Sequence, residues 1–175
     1  MQIRIVLSGY YGCGNAGDEA VLAGILCSLE AARVDAEITV LSADPASTMK
    51  DHSGVRAVNR FRPDSVLWSL MRADLVVSGG GSLLQDVTSA RSLHYYLGIL
   101  KLAQKMRKKT VIYAQGIGPL NSPANRKSTA EVLNRVDLIT VRDADSKDLL
   151  ESIGIKKPIT VCADPAFMVE PDYNE

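Results

Sequence analysis

Few cysteines, no excess charge and no long apolar run characterise this chain of 175 residues. The three cysteines, Cys13, Cys27 and Cys162, are odd in number and never fall in C-x-x-C spacing. That disfavours a disulfide framework and a zinc site, so no metal is expected, and a reduced, cytoplasmic compartment fits best. Lys plus Arg and Asp plus Glu number 20 each, so no overall field draws in nucleic acid or another polyanion, and no nucleic-acid partner is expected. The first apolar run spans only Ile3 to Leu7. Nothing later approaches the ~18 consecutive apolar residues of a membrane span, so neither a standard secretion signal nor a spanning helix is expected. Internal repeats, low-complexity tracts and interdomain linkers are also missing. The two histidines, His52 and His94, are isolated and read as ordinary surface or helix residues.

What is present is a regular alternation. Short apolar, β-branched runs recur at Ile3 to Leu7, Ile38 to Leu41, Val55 to Val58, Leu75 to Val77, Thr110 to Tyr113, Leu138 to Val141 and Ile159 to Val161. Helical patterns lie between most of them. Val21, Leu22, Ile25, Leu26 and Leu29 share one face at a period of about 3.6, and Leu93, Tyr96, Leu97, Leu100 and Met106 suggest a second such helix. Ser122-Pro123 reads as an N-cap with proline in the first turn, and Gly154 as the end of a helix beginning near Asp143. Together these predict an α/β fold: right-handed βαβ units around a parallel sheet flanked by helices on both faces. One domain over residues 1–170 is expected, with the polar segment 171–175 as its edge.

Between the first strand and the first helix lies Gly9-Tyr10-Tyr11-Gly12-Cys13-Gly14-Asn15-Ala16-Gly17-Asp18. Gly12, Gly14 and Gly17 fit the dinucleotide pattern G-x-G-x-x-G in its strand–turn–helix context. Phosphate binding there relies on free backbone N–H groups and the positive end of the helix dipole. Asp18 and Glu19 already answer that dipole and would repel a phosphate, whereas a polyhydroxyl ligand meets no such penalty. The acid that should hold a ribose, about 20 residues on, is represented only by Asp44 just past the second strand. An NAD- or nucleotide-sugar-dependent Rossmann enzyme is therefore the alternative rather than the leading reading, together with a non-catalytic saccharide-binding module.

Other small and polar loops follow the strands: Ser78-Gly79-Gly80-Gly81-Ser82, Gln115-Gly116-Ile117-Gly118-Pro119, Arg142-Asp143 and Ala163-Asp164-Pro165. The carboxyl ends of parallel strands are where such folds bind ligands. Gly79 to Gly81 either permit close helix packing or face a ligand, and Gly116 and Gly118 either shape a tight exit turn or do the same. Asp143 suits a helix N-cap. Arg142 offers a planar fork either to an anion or to a structural salt bridge. Cys13 suits packing. Lys101, Lys105, Arg107, Lys108 and Lys109 crowd a helix end, as solvated partners of the dipole or as a contact with anionic lipid.

These loop residues carry a resemblance. Gly9-Tyr10-Tyr11-Gly12 through Asn15-x-Gly17-Asp18-Glu19, Ser78 through Gln85-Asp86, Ala114-Gln115-Gly116-Ile117-Gly118-Pro119, Arg142-Asp143-x-x-Ser146 and Ala163-Asp164-Pro165-Ala166-Phe167, in this order, are similar to motifs of the polysaccharide pyruvyl transferase family, in particular its CsaB type. The resemblance implies the Rossmann-like N-terminal domain of a two-domain enzyme of glycosyltransferase-B-like (GT-B) architecture, with a C-terminal domain lying outside this chain. It implies phosphoenolpyruvate as donor substrate, no cofactor, and a lipid-linked saccharide containing N-acetylmannosamine as acceptor, modified to anchor surface-layer proteins. It also implies cytoplasmic work at the inner membrane surface, with peripheral membrane contact. Asp18 and Arg142 are then the catalytic candidates, Asp18 on the acceptor side and Arg142 for the donor's phosphate or carboxylate. Gly12, Gly14, Asn15, Gly17, Glu19, Gly80, Gly81, Ser82, Asp86 and Gln115 are the substrate-binding candidates.

Overall fold

The structure is a computed structural model that describes residues 2–87 and 90–169; the expected domain edge at 171–175 lies outside the described residues. The chain runs β1 (Ile3–Tyr11), α1 (Ala16–Ala31), β2 (Ala36–Ser42), α2 (Pro45–Asp51), β3 (Arg56–Asn59), α3 (Pro63–Arg72), β4 (Leu75–Gly79), α4 (Ala90–Lys105), β5 (Lys109–Gln115), α5 (Pro123–Leu133), β6 (Leu138–Val141), α6 (Ala144–Ser152) and β7 (Ile159–Val161). A 3₁₀ turn follows at Pro165–Met168. Among the described residues, seven strands form one sheet in the order β3-β2-β1-β4-β5-β6-β7, and every neighbouring pair is parallel. Every expected strand is present, and the α/β Rossmann-like expectation holds. The order of the strands reverses between β1 and β4, so the loops after these two strands open at a topological switch point.

Strand periodicity explains why the sheet is covered on both sides. Along β1, Ile5 and Leu7 pack with Val21, Leu22 and Ile25 of α1. Val6, between them, packs on the other face with Val66 and Leu70 of α3 and Ile99 and Ala103 of α4. Successive side chains point to opposite faces, so an unbroken apolar run suits a strand buried on both. A third cluster joins Leu93, Leu97 and Leu100 of α4 to Ile112, Leu133, Ile139 and Leu150. Burying one such side chain is worth about 1.5–3 kcal/mol, so these contacts, rather than helix propensity, hold the helices on the sheet.

Helix starts show which polar residues are committed to the fold. Asn15 caps α1, its Oδ1 accepting from the Gly17 and Asp18 amides. Asp44 caps α2 by accepting from the Ala46 and Ser47 amides, and Asp143 caps α6 through the Ser146 amide. Ser122 stands at the cap of α5 but makes no capping bond with its side chain. Asp86 instead fastens the segment that enters the helix, accepting from the amides of Asn121 at 2.8 Å and Ser122 at 2.9 Å.

The end of β1 departs from the expected loop. The strand continues to Tyr11 through a bulge, because Ser8 pairs with Leu41 and the next pair is Tyr11 with Ser42. Tyr11 turns into the core and its hydroxyl donates to the Gly79 carbonyl at 2.8 Å, tying the two switch-point loops together. Burial pushes its phenol well above the ordinary range, and Asp18 adds to the effect. Arg60, buried beyond β3, donates to the Gly9 carbonyl at 2.9 Å and to the Tyr96 hydroxyl at 3.0 Å. Its guanidinium lies 4.5 Å from the Tyr95 ring centroid, so an aromatic nest holds the bulge in place.

Candidate functional site

Asp18 is the chemically available group at the switch point. Asn15 and Glu19 beside it are engaged: the Asn15 side chain caps the helix, and Glu19 Oε1 accepts from the Gly12 amide at 2.8 Å. The Asp18 carboxylate accepts no hydrogen bond from the described residues. Partial burial, and then the neighbouring Glu19, raise its pKa; Arg142 acts in the opposite direction and Asp164 adds a smaller upward push. A half-buried carboxylate with a raised pKa on the ligand-binding edge is a candidate for proton transfer.

The glycine loop after β4 frames this carboxylate. Gly80 and Gly81 take left-handed φ angles of 66° and 62°. A Cβ on Gly80 would collide with the Val21 side chain, and one on Gly81 would stand 2.7 Å from Asp18 Oδ1. Gly80 therefore serves the packing of α1, whereas Gly81 makes room for the carboxylate.

Beyond Gly81, Arg142 ties its own loop to those after β4 and β7. Its Nη2 donates to Ser82 Oγ at 3.0 Å, Nη1 meets Asp164 Oδ2 at 3.1 Å, and Nε stands 3.7 Å from Asp143 Oδ2. Gly116 leaves the necessary space, since a Cβ there would lie 2.8 Å from both Arg142 Nε and Ser82 Oγ. The salt-bridge alternative for Arg142 is thus realised, although 35% of the side chain stays exposed. A hollow of about 340 Å³ opens here, lined by Ser82, Gly116, Ile117, Gly118, Pro119, Arg142 and residues at the start of α6. A second, of about 210 Å³, lies beside the first glycine loop and carries Gly12, Gly14, Glu19, Asp44 and Asp51.

The sequence matches the polysaccharide pyruvyl transferase family over residues 15–175. The chain belongs to that family. One curated relative, the amylovoran biosynthesis protein AmsJ of Erwinia amylovora, is 24% identical over 208 aligned positions, which take in 95% of this chain and 49% of that protein. The chain thus spans about half the length of the curated relative it matches. Among solved structures, an α-glucosyltransferase in complex with UDP and a 13-mer DNA containing a HMU base superposes with a TM-score of 0.58 at 14% identity, over 92% of this chain and 42% of that one. An α-glucosyltransferase in complex with UDP gives 0.57 at 14% identity, over 91% and 43%. These likenesses show an α/β Rossmann-like fold like that found in GT-B glucosyltransferases.

Several residues expected to bind substrate make structural contacts. Asp86 is engaged at the entry to α5: besides the Asn121 and Ser122 amides, its Oδ2 accepts from Asn125 Nδ2 at 2.9 Å. Those bonds hold its pKa below the ordinary range. Gln115 is buried beneath the loops and donates to Ser78 Oγ at 2.9 Å, so it supports the floor rather than reaching a ligand. Gly17 lies inside α1 rather than in the turn, and Asp44 Oδ1 is committed to the α2 cap.

His52, which reads as isolated in the sequence, is not. The end of α2 carries its nearly buried ring to within 3.4 Å of Glu19 Oε2, where it positions the carboxylate that holds the Gly12 amide. The two residues are 33 positions apart, and no local pattern announces their meeting. His94 is exposed on α4, as expected.

Proposed function

We propose that this chain is the acceptor-side domain of a ketal-forming pyruvyltransferase that moves pyruvyl from phosphoenolpyruvate to two hydroxyls of a saccharide. The finer assignment is the CsaB-type one: a lipid-linked, N-acetylmannosamine-containing cell-wall saccharide, modified in the cytoplasm for surface-layer protein anchoring, with a C-terminal domain completing the donor site and no cofactor. What carries this is Asp18, an unengaged carboxylate with a raised pKa, set at the switch point within reach of the Arg142 field. Family membership supports the reaction class, and the amylovoran relative supports a polysaccharide setting.

The chemistry requires a base, an acid and an anion clamp. The methylene carbon of the enolpyruvyl group gains a proton and becomes a methyl, leaving a cationic centre at C2. One acceptor hydroxyl adds to C2, and the second then displaces phosphate from it. Of the two hydroxyl protons lost, one balances the proton on the methyl carbon and the other leaves with phosphate. Asp18 takes a hydroxyl proton, a role that typically contributes about 10²–10⁴ in rate. Arg142 meets the donor's carboxylate or phosphate through its exposed edge, with Asp164 exchanged for the incoming anion. Gly81 and Ser82 supply close backbone approach and a hydroxyl beside the acceptor.

The test is incubation of the intact protein with phosphoenolpyruvate and an N-acetylmannosaminyl lipid analogue, following phosphate release and the mass of the saccharide. Stoichiometric phosphate and a ketal-bearing product are expected. Phosphate release no faster than background would sink the proposal.

A further inference from the structure

We propose that the edge of the sheet opposite the candidate site docks on a membrane surface carrying anionic lipid. Two observations made on different elements meet there. The first is α3, which buries Val66, Ser69 and Leu70 and leaves Leu67, Trp68 and Met71 exposed by 41%, 58% and 46%. Positions 67, 68 and 71 are neighbours on a helical surface, so three large apolar side chains form one outward stripe. The Arg72 guanidinium stands 5.8 Å from the Trp68 ring at its end.

The second is the cationic hollow at the end of α4 and the start of β5, about 630 Å³ in volume. Lys101, Lys105, Arg107, Lys108, Lys109 and Arg135 line it, against only Glu131 and Asp137. Pairing to the helix dipole explains a lysine in the last turn of α4. It does not explain Arg135, which follows α5, or the apolar stripe next door. Only Lys109 among these cations has an ion-pair partner within the described residues, Asp137 at 2.8 Å.

The topology joins the two features. Leu75 and Lys109 pair at the start of β4 and β5, so the ends of α3 and α4 reach the same edge of the sheet. Lys108 Nζ donates to the Met71 carbonyl at 2.7 Å, bridging the cationic hollow to the apolar stripe. Tryptophan, leucine and methionine suit the boundary between headgroups and acyl chains, and lysine and arginine suit acidic headgroups. Together they supply the two signals that stable peripheral binding needs. The chain's overall charge is zero, so attraction comes from this local cluster and acts only within about a Debye length, ~10 Å at 0.1 M salt. This inference does not depend on the catalytic one.

Trp68 is the only tryptophan of these 175 residues, so the emission of this chain reports on its own docking. It would be mixed with phosphatidylcholine vesicles, with and without phosphatidylglycerol, while sedimentation and tryptophan emission are followed. Sedimentation with the acidic vesicles alone, a blue shift of the emission, and loss of both near 1 M salt are expected. Charge reversal in K105E/R107E should weaken the partition at least about tenfold, with an unchanged unfolding midpoint. Equal binding to neutral vesicles, binding without a change in emission, or no binding would overturn the proposal. So would a blue shift that grows with protein concentration in the absence of lipid, since a second copy would then cover the stripe.

Discussion

Arg142 and Asp164, 22 residues apart in the chain, meet at 3.1 Å at the carboxyl ends of β6 and β7. The pair is partly exposed, and ion pairs of that kind contribute little to stability, about 0–1 kcal/mol. Replacement of Arg142 with alanine should therefore leave the denaturant midpoint nearly unchanged. Turnover with phosphoenolpyruvate should fall by about 10² or more, the scale for removing a charge-stabilising donor. A rate close to wild type would take Arg142 out of the mechanism.

Asp18 gives a prediction with opposite signs for activity and stability. As a base it must be ionised, so kcat/KM should fall as pH drops through a value above the ordinary aspartate range, and Asp18→Asn should lose about 10²–10⁴ in rate. Burial raises its folded-state pKa, so the folded chain binds more protons than the unfolded one between the ordinary value and the raised one. Stability attributable to Asp18 therefore declines as pH rises through that window, and the ionised group is a liability above it. Asp18→Asn should melt at a higher temperature than wild type at pH 7, and the difference should vanish in acid. Melting curves at several pH values check this, and a lower melting temperature for the variant at neutral pH would contradict it.

Asp86 should behave in the reverse way. Hydrogen bonds from the Asn121 amide, Asn125 and the Ser122 amide depress its pKa, so its contribution is present above the ordinary value of about 3.9 and lost as pH falls below it. Asp86→Ala should lower the melting temperature at pH 7, and the gap should narrow on acidification below about pH 4. Because the carboxylate is engaged with the segment that enters α5, KM for the saccharide should not move. A large KM change with an unaltered melt would restore Asp86 to the binding site.

The first glycine loop should not bind a dinucleotide. The α1 amides of Gly17 and Asp18 are taken by Asn15, and the Gly12 amide by Glu19. Calorimetric titration with NAD should show no saturable heat, and tight binding would reinstate the nucleotide reading. Asn15→Ala should cost about 1 kcal/mol of stability through the lost cap.

Strand identity and sheet class were legible in the amino-acid sequence because they rest on short-range periodicity: apolar, β-branched runs bounded by glycine, and a 3.6-residue repeat such as Val21, Leu22, Ile25 and Leu29. The loop motifs were legible for the same reason, since each is contiguous. Which of their polar groups remain available was not. Asp18 and Asp86 are both carboxylates in such motifs, yet Asp86 accepts three hydrogen bonds at the start of α5 while Asp18 accepts none from the described residues. Glu19 and His52, and Tyr11 and Gly79, meet only once parallel strands bring their loops to one edge. Local pattern determined the elements and their order in the chain. Tertiary packing alone decided which donors and acceptors were consumed in building the site and which were left for chemistry, because hydrogen-bond satisfaction depends on neighbours distant in sequence.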